Sequence, residues 1–167
     1  MIEVENPISQ NMRYMRSSLF SGLINTFIHN LNNGLESQKL FEIGSVFNHN
    51  KSTKPTETKR VSGLLYGDLA PIHWQDKPRK VNFYDAKGVI EKVVSNFDIV
   101  INFELKSSDF FHSGISSAIY DGSKEIGKLG ALSPDIIEKI GLKEDVLLFS
   151  LDLEALRIKP LKKFKKF

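Results

Sequence analysis

Gly127 and Gly130 stand three apart in Ile126-Gly127-Lys128-Leu129-Gly130, the spacing of part of a phosphate-cradling loop. Such a loop works by laying backbone N–H groups against phosphate oxygens, which glycine permits because it has no Cβ. The stretch does not pass from strand to helix in a GxGxxG pattern, and no Gly-Lys-Ser/Thr follows. It therefore reads as glycines in a tightly packed or bulged strand. The histidines are His29, His49, His73 and His112. None has another histidine or an acid at metal-ligand spacing, so no metal site is read. Glu144 and Asp145 follow a helix stop and read as a solvated turn. Asp152 and Glu154 alternate with Leu151 and Leu153, the pattern of an outward strand face rather than a general acid–base pair. Ser17, Ser18 and Ser21 cluster where a helix begins, and serines there cap or line the helix. No Gly-x-Ser-x-Gly elbow is present.

The elements that must position these residues follow from the apolar spacing. Leu19, Phe20, Leu23, Ile24, Phe27, Ile28 and Leu31 predict an amphipathic helix over about 12–32, stopped by Asn32-Asn33-Gly34. Leu40 to Asn48 reads as a strand too densely apolar for clean alternation, hence central and covered on both faces. A polar loop over 49–59 joins it to a second strand, 61–67. Residues 70–81, with Pro71, Trp74 and Pro78, form a surface excursion. A second helix is expected over 84–96, with Asp85 near its cap. Short strands follow at 99–105, 116–120 and 125–131, the last two joined by Asp121-Gly122, a tight-hairpin signal. Ser133-Pro134 starts a third helix that ends at Gly141, and a last strand spans 146–153. Hairpins cannot belong to parallel βαβ units, so the fold class is α+β with a mainly antiparallel sheet flanked by helices.

Composition narrows the function. At 167 residues and 41% hydrophobic, the chain is one globular domain or a large part of one. It has no cysteine, which excludes a disulfide framework, a Cys-based zinc site and a Cys nucleophile within it, and fits a reducing compartment. No apolar run approaches the ~20 residues of a membrane span. Met1 to Glu5 has no basic or apolar signal region, so no signal peptide is expected. The net charge of +3 invites a nucleic-acid reading. Five lysines, at 159, 162, 163, 165 and 166, supply it. Without them 18 bases face 20 acids, a net of −2 over 1–158. Residues 1–158 thus read as the core module and 159–167 as a basic tail or linker.

Five blocks in order resemble the β chain of bacterial-type phenylalanyl-tRNA synthetase. Glu5-Asn6-Pro7-Ile8-Ser9 with Met15-Arg16-Ser17-Ser18-Leu19-Phe20-Ser21-Gly22-Leu23 is similar to that family's opening motif. Leu40-Phe41-Glu42-Ile43-Gly44-Ser45-Val46-Phe47 is similar to its LFEIG-x-VF strand. Asn82-Phe83-Tyr84-Asp85-Ala86-Lys87-Gly88-Val89-Ile90-Glu91 resembles its DFFDLKG-x-VE helix start. Phe111-His112-Ser113-Gly114 with Ser117-Ala118, and Ile126-Gly127 to Gly130 with Pro134, echo two further motifs. Ser113 stands where the family usually has proline, Ile115 where it often has arginine, and Ser133 where histidine is frequent.

The resemblance implies a class II aminoacyl-tRNA synthetase-like fold. In catalytic members the strand matching Gly44-Ser45-Val46-Phe47 ends in an arginine that grips the ATP α-phosphate; here Asn48 follows. A second motif, with two glycines and an arginine, resembles Phe149 to Leu156, where Ser150, Asp152 and Ala155 replace them. A neutral amide cannot stand in for a guanidinium fork, and an aspartate repels a triphosphate. The resemblance thus implies a catalytically inactive module with no catalytic, cofactor-binding or metal residue, acting as a scaffold for the α chain and tRNA(Phe). It implies that the whole enzyme is a cytoplasmic heterotetramer of two α and two β chains. That enzyme would attach phenylalanine to tRNA with ATP and magnesium, with no membrane partner. Arg16, His112, Lys162 and Lys163 are the candidate subunit or tRNA contacts, although Arg16 could equally brace Glu5 or Glu42. A full β chain is several times longer, so Met1 is expected to fall inside it, and apolar surface is expected to lie exposed. The alternative is an RNA-binding module working through the tail, with lysines on phosphates and Phe164 and Phe167 stacking on bases.

Overall fold

A computed structural model describes residues 2, 14–48, 55–70 and 79–156. Its elements in chain order are α1 (Phe20–Asn32), β1 (Gln38–Asn48), β2 (Thr56–Tyr66), α2 (Phe83–Val94), β3 (Ile101–Leu105), β4 (Phe111–Asp121), β5 (Lys124–Leu132), α3 (Pro134–Ile140) and β6 (Leu147–Asp152). A 3-10 turn, Leu153–Ala155, follows β6. The strands form one six-stranded sheet in the order β1-β2-β6-β5-β4-β3, every pairing antiparallel. The α+β class with an antiparallel sheet flanked by helices is therefore the observed fold.

The two faces of the sheet bury separate cores, as the period of two along each strand requires. Leu147 and Leu151 of β6 pack with Leu129 of β5 and with Ala86, Ile90 and Val94 of α2. Leu148 and Leu64 turn to the other face, against Phe20, Leu23 and Phe27 of α1. β6 is buried along five of its six residues, so it is the central strand covered on both faces.

β1 corrects an expectation. It lies at the sheet edge, paired only with β2, and Phe41 and Ile43 are 74% and 60% exposed. Its dense apolar run arises because one face carries Leu40 and Val46 inward while Phe41 and Ile43 border an open groove. Strand order depends on long-range pairing, which local apolar density does not encode.

α1 also starts later than the spacing suggests. Residues 14–19 are not helical. The backbone N–H of Phe47 donates to the carbonyl of Arg16 at 2.8 Å, tying this segment to β1. Ser18 Oγ accepts from the N–H of Phe20 at 3.2 Å, so a serine does serve the helix start. β2 begins at Thr56, five residues before the expected start, and β4 begins at Phe111 rather than 116. A register shift between Phe111 and Ser116 hides the first half of β4 from a period-two reading.

Several local signals match their elements. Asn82 caps α2 with Asp85 as its reciprocal partner. Pro134 opens α3, and Gly141 closes it at φ +78°. Gly122 and Ser123 form the two-residue turn between Asp121 and Lys124.

Candidate functional site

The pairing register builds a polar cleft on the α1 face of the sheet. Ser62 of β2 and Lys128 of β5 both stand opposite Ser150 of β6. Arg60, two residues before Ser62, shares their face. Ser17 and Ser18, just before α1, and Asn48, the last residue of β1, complete the walls with Glu125 and Gly127. The enclosed volume is about 250 Å³.

Each wall has a local reason. Ser62 Oγ donates to Ser150 Oγ at 2.8 Å, and the two residues are 0% and 3% exposed. The pair satisfies two hydroxyls inside the sheet, where an orphan would be costly. A Cβ on Gly127 would sit 2.5 Å from the carbonyl oxygen of Ser150 and 2.6 Å from Leu151 Cδ2. Only glycine lets β5 approach β6 this closely, which is the packed-strand reading of the glycine pair. Lys128 rests its ammonium 5.1 Å from the Phe20 ring centre and 5.8 Å from that of Phe111. Burial first, and then the charge of Arg60, hold this lysine below its ordinary pKa; Glu125 pulls the other way.

The candidate residues separate. Asn48 and Ser150 come together in the cleft. Asp152 and Ala155 do not line it. Asp152 Oδ1 accepts from the N–H of Glu154 at 2.9 Å and caps the 3-10 turn. Ala155 is 7% exposed within the core under α2. Arg16 donates from Nη1 to Glu42 at 2.6 Å and from Nε to the carbonyl of Ser45 at 2.8 Å, with its fork across Gly44. Of its expected braces, Glu42 is therefore the one engaged; Glu5 lies outside the described residues. His112 Nδ1 accepts from the N–H of Gly114 at 3.1 Å, a contact within β4. Lys162 and Lys163, like the rest of the tail, lie outside the described residues. So do His49, His73 and the block at 5–9.

Arg60 and Lys128 did not stand out in the sequence. The available signal was a lysine set among the buried residues Ile126, Gly127 and Leu129 of β5.

The cleft does not fit a triphosphate with magnesium. Asn48 offers an amide where a charged fork would grip phosphate, and the Ser150 side chain fills space that a glycine would leave open. Among the described residues no three His, Asp or Glu side chains gather as a metal site. No helix among them is long and apolar enough to cross a membrane.

The opposite face carries an apolar groove of about 460 Å³ beneath α2 and β1. Phe41, Ile43, Val89, Val93 and Leu153 border it, and Phe41, Ile43 and Val89 are exposed. This is exposed apolar surface of the kind the sequence reading expects.

Comparison with known proteins adds three findings. Residues 1–153 match the family model described as the phenylalanyl tRNA synthetase beta chain CLM domain. The phenylalanine–tRNA ligase beta subunit of Dechloromonas aromatica (strain RCB) is 33% identical over 161 residues, covering 94% of this chain and 20% of the relative. That of Carboxydothermus hydrogenoformans is 36% identical over 159 residues, covering 91% and 19%. The chain thus spans about a fifth of the length of the curated relatives it matches. Among solved structures, a pyrrolysyl tRNA synthetase, PylSc of Desulfitobacterium hafniense, superposes with a TM-score of 0.57 at 14% identity. The superposition covers 84% of this chain and 48% of that one, and establishes a shared tRNA-synthetase fold.

Proposed function

The chain belongs to the phenylalanyl-tRNA synthetase β-chain family, and from that premise we propose that it is a non-catalytic scaffold module of phenylalanine–tRNA ligase. The whole enzyme attaches phenylalanine to tRNA(Phe) in the cytoplasm, using ATP and magnesium bound by its α chains. Two α and two β chains assemble, and this module holds its place against the α chain and tRNA. Residues 1–158 act as the class II-like core, and the lysines that follow act as a linker.

The observation that carries this reading is the end of the cleft where Asn48 and Ser150 meet. Adenylation needs positive clamps on the phosphates, each supplying several kcal/mol, on the order of 3, of transition-state stabilisation. At this end Asn48 is neutral and Ser150 is committed to Ser62, so the cations of the cleft, Arg60 and Lys128, are not joined by the guanidinium fork that would follow Phe47 in a catalytic member. The exposed groove beside Phe41 and Ile43 supports a role in contact rather than chemistry.

The test uses the full-length β chain bearing Asn48→Ala, assembled with its α chain. Aminoacylation should stay within about twofold of the unaltered enzyme, since the neutral amide of Asn48 supplies no charged clamp to the transition state. A fall of about a hundredfold in kcat would overturn the non-catalytic reading.

A further inference from the structure

Two cations share the polar cleft without a carboxylate of their own. Among the described residues neither Arg60 nor Lys128 forms an ion pair, whereas Arg16, Arg79, Lys80, Lys87 and Lys106 all do. Glu125 reaches the rim, but its Oε2 lies 2.6 Å from Lys106 Nζ, which neutralises it. Asp152 stands opposite Arg60 in register, and its Oδ1 accepts from the backbone N–H of Glu154. The local balance is an excess of positive charge in a recess.

That arrangement costs free energy while the cleft is empty of anion. Burial first, and then Arg60, disfavours the charge on Lys128, with Glu125 acting in the opposite sense. A bound oxyanion would relieve both effects at once. Donors to receive it are in place. Ser17, Ser18 and Asn48 present two hydroxyls and an amide on the same walls. α1 begins two residues after Ser18, but its first turn already has the Glu42 carboxylate beside Gly22, so the donors counted here are side chains only.

Size selects the ligand. A cavity of about 250 Å³ is smaller than the ~300–1,000 Å³ typical of pockets that enclose a whole organic ligand. It accommodates one tetrahedral group between the two cations and opens to solvent on its other side. We propose that this cleft binds a single phosphate-class oxyanion between Arg60 and Lys128, with Ser17, Ser18 and Asn48 completing the donor set. The oxyanion is either free inorganic phosphate or one phosphodiester of an RNA strand; both present the same tetrahedral charge. This rests on the side chains of the cleft and not on the family assignment, so its failure leaves the scaffold reading intact.

The test is an NMR titration of the 167-residue chain, following the Lys128 side chain and the backbone amides of Ser17 and Ser18. One arm adds inorganic phosphate and the other the ribodinucleotide UpU, both at constant ionic strength. Saturable shifts at all three positions are expected with phosphate, with UpU, or with both. The responding arm identifies the source. Arg60→Gln and Lys128→Gln should each weaken the binding by about tenfold or more, because each removes a charged donor. A thermal melt of each variant checks folding; Arg60→Gln should melt as the unaltered chain does, and Lys128→Gln should remain folded although it gives up its contacts with the Phe20 and Phe111 rings. Should either variant fail to fold, Arg60→Lys replaces it, and the loss of its two-pronged donor should still weaken binding. Three results overturn the proposal. One is an absence of saturable shifts in both arms. The second is shifts confined to residues outside the cleft. The third is unchanged affinity in the folded variants.

Discussion

Replacing Ser150 by alanine removes half of a buried hydroxyl pair, and the two halves are not equivalent. Ser62 is 0% exposed and has Ser150 as its side-chain partner at 2.8 Å. Ser150 is also buried, but it lines the cleft. In Ser150→Ala the Ser62 hydroxyl is stranded between β1 and β6, and the cost is the desolvation penalty of an unsatisfied buried group, about 1–3 kcal/mol. In Ser62→Ala the Ser150 hydroxyl can turn to water in the cleft, so the loss is nearer the net worth of one hydrogen bond, about 0.5–1.5 kcal/mol. In the double variant both groups are apolar and nothing is stranded. Its loss should fall short of the summed single losses by about 1 kcal/mol. Urea unfolding resolves this. With a slope of about 1–3 kcal/mol/M for a domain of this size, a loss of 2 kcal/mol moves the midpoint by roughly 1 M. Strict additivity, or a larger loss in Ser62→Ala than in Ser150→Ala, would refute the assigned geometry.

Two further measurements use the same unfolding assay. Gly127→Ala should destabilise by about 1–3 kcal/mol, because its Cβ would meet the Ser150 carbonyl at 2.5 Å. Gly88→Ala, on the open surface of α2 with nothing within 4 Å, should stabilise by about 0.5–1 kcal/mol; a common sign for the two would contradict the packing described. Asp85 titrates in the acid range. Its carboxylate accepts two hydrogen bonds from Arg79 at 2.7 Å each and one from the N–H of Asn82 at 2.9 Å. Chiefly through Arg79, its pKa lies below the ordinary value despite some burial. The folded form thus binds this proton less readily than the unfolded chain. The stabilisation is present above the unfolded value of about 3.9 and is lost as pH falls through the folded value. The urea midpoint should drop between about pH 5 and pH 3, and Asp85→Asn should flatten that drop while lowering the midpoint at pH 7. An equally steep acid limb in Asp85→Asn would assign the drop elsewhere.

What was legible in the sequence was local. The Asn82–Asp85 box, Pro134 with Gly141 and the Asp121-Gly122 turn act within a few residues, so composition alone reveals them. The errors lie where distant partners decide. β1 looked central because Phe41 and Ile43 are apolar, yet only the pairing of β6 between β2 and β5 fixes which strand is enclosed. The start of α1 looked helical because the apolar spacing continues upstream, yet residues near Arg16 are held by β1. The site divides in the same way. Asn48 and Ser150 were visible through resemblance to a motif. Arg60 and Lys128 were not, because they meet only after β2 and β5 flank β6.

The residues that stand where the resemblance leads one to expect nucleotide-binding groups also perform structural work. Glycines at positions 150 and 152 would leave backbone free to approach phosphate, at a cost in strand stability of roughly 0.5–1 kcal/mol each. Ser150 instead satisfies Ser62 within the sheet, and Asp152 caps the turn after β6. Ala155 packs into the core under α2, where an arginine would need its charge paired or carried out to water. On the non-catalytic reading proposed above, these positions exchange reactive geometry for satisfied hydrogen bonds and a filled core. Arg60 and Lys128 escape that exchange. They are neither paired nor replaced by apolar residues, although burial penalises Lys128. The proposed oxyanion would offset the charge of both in one recess.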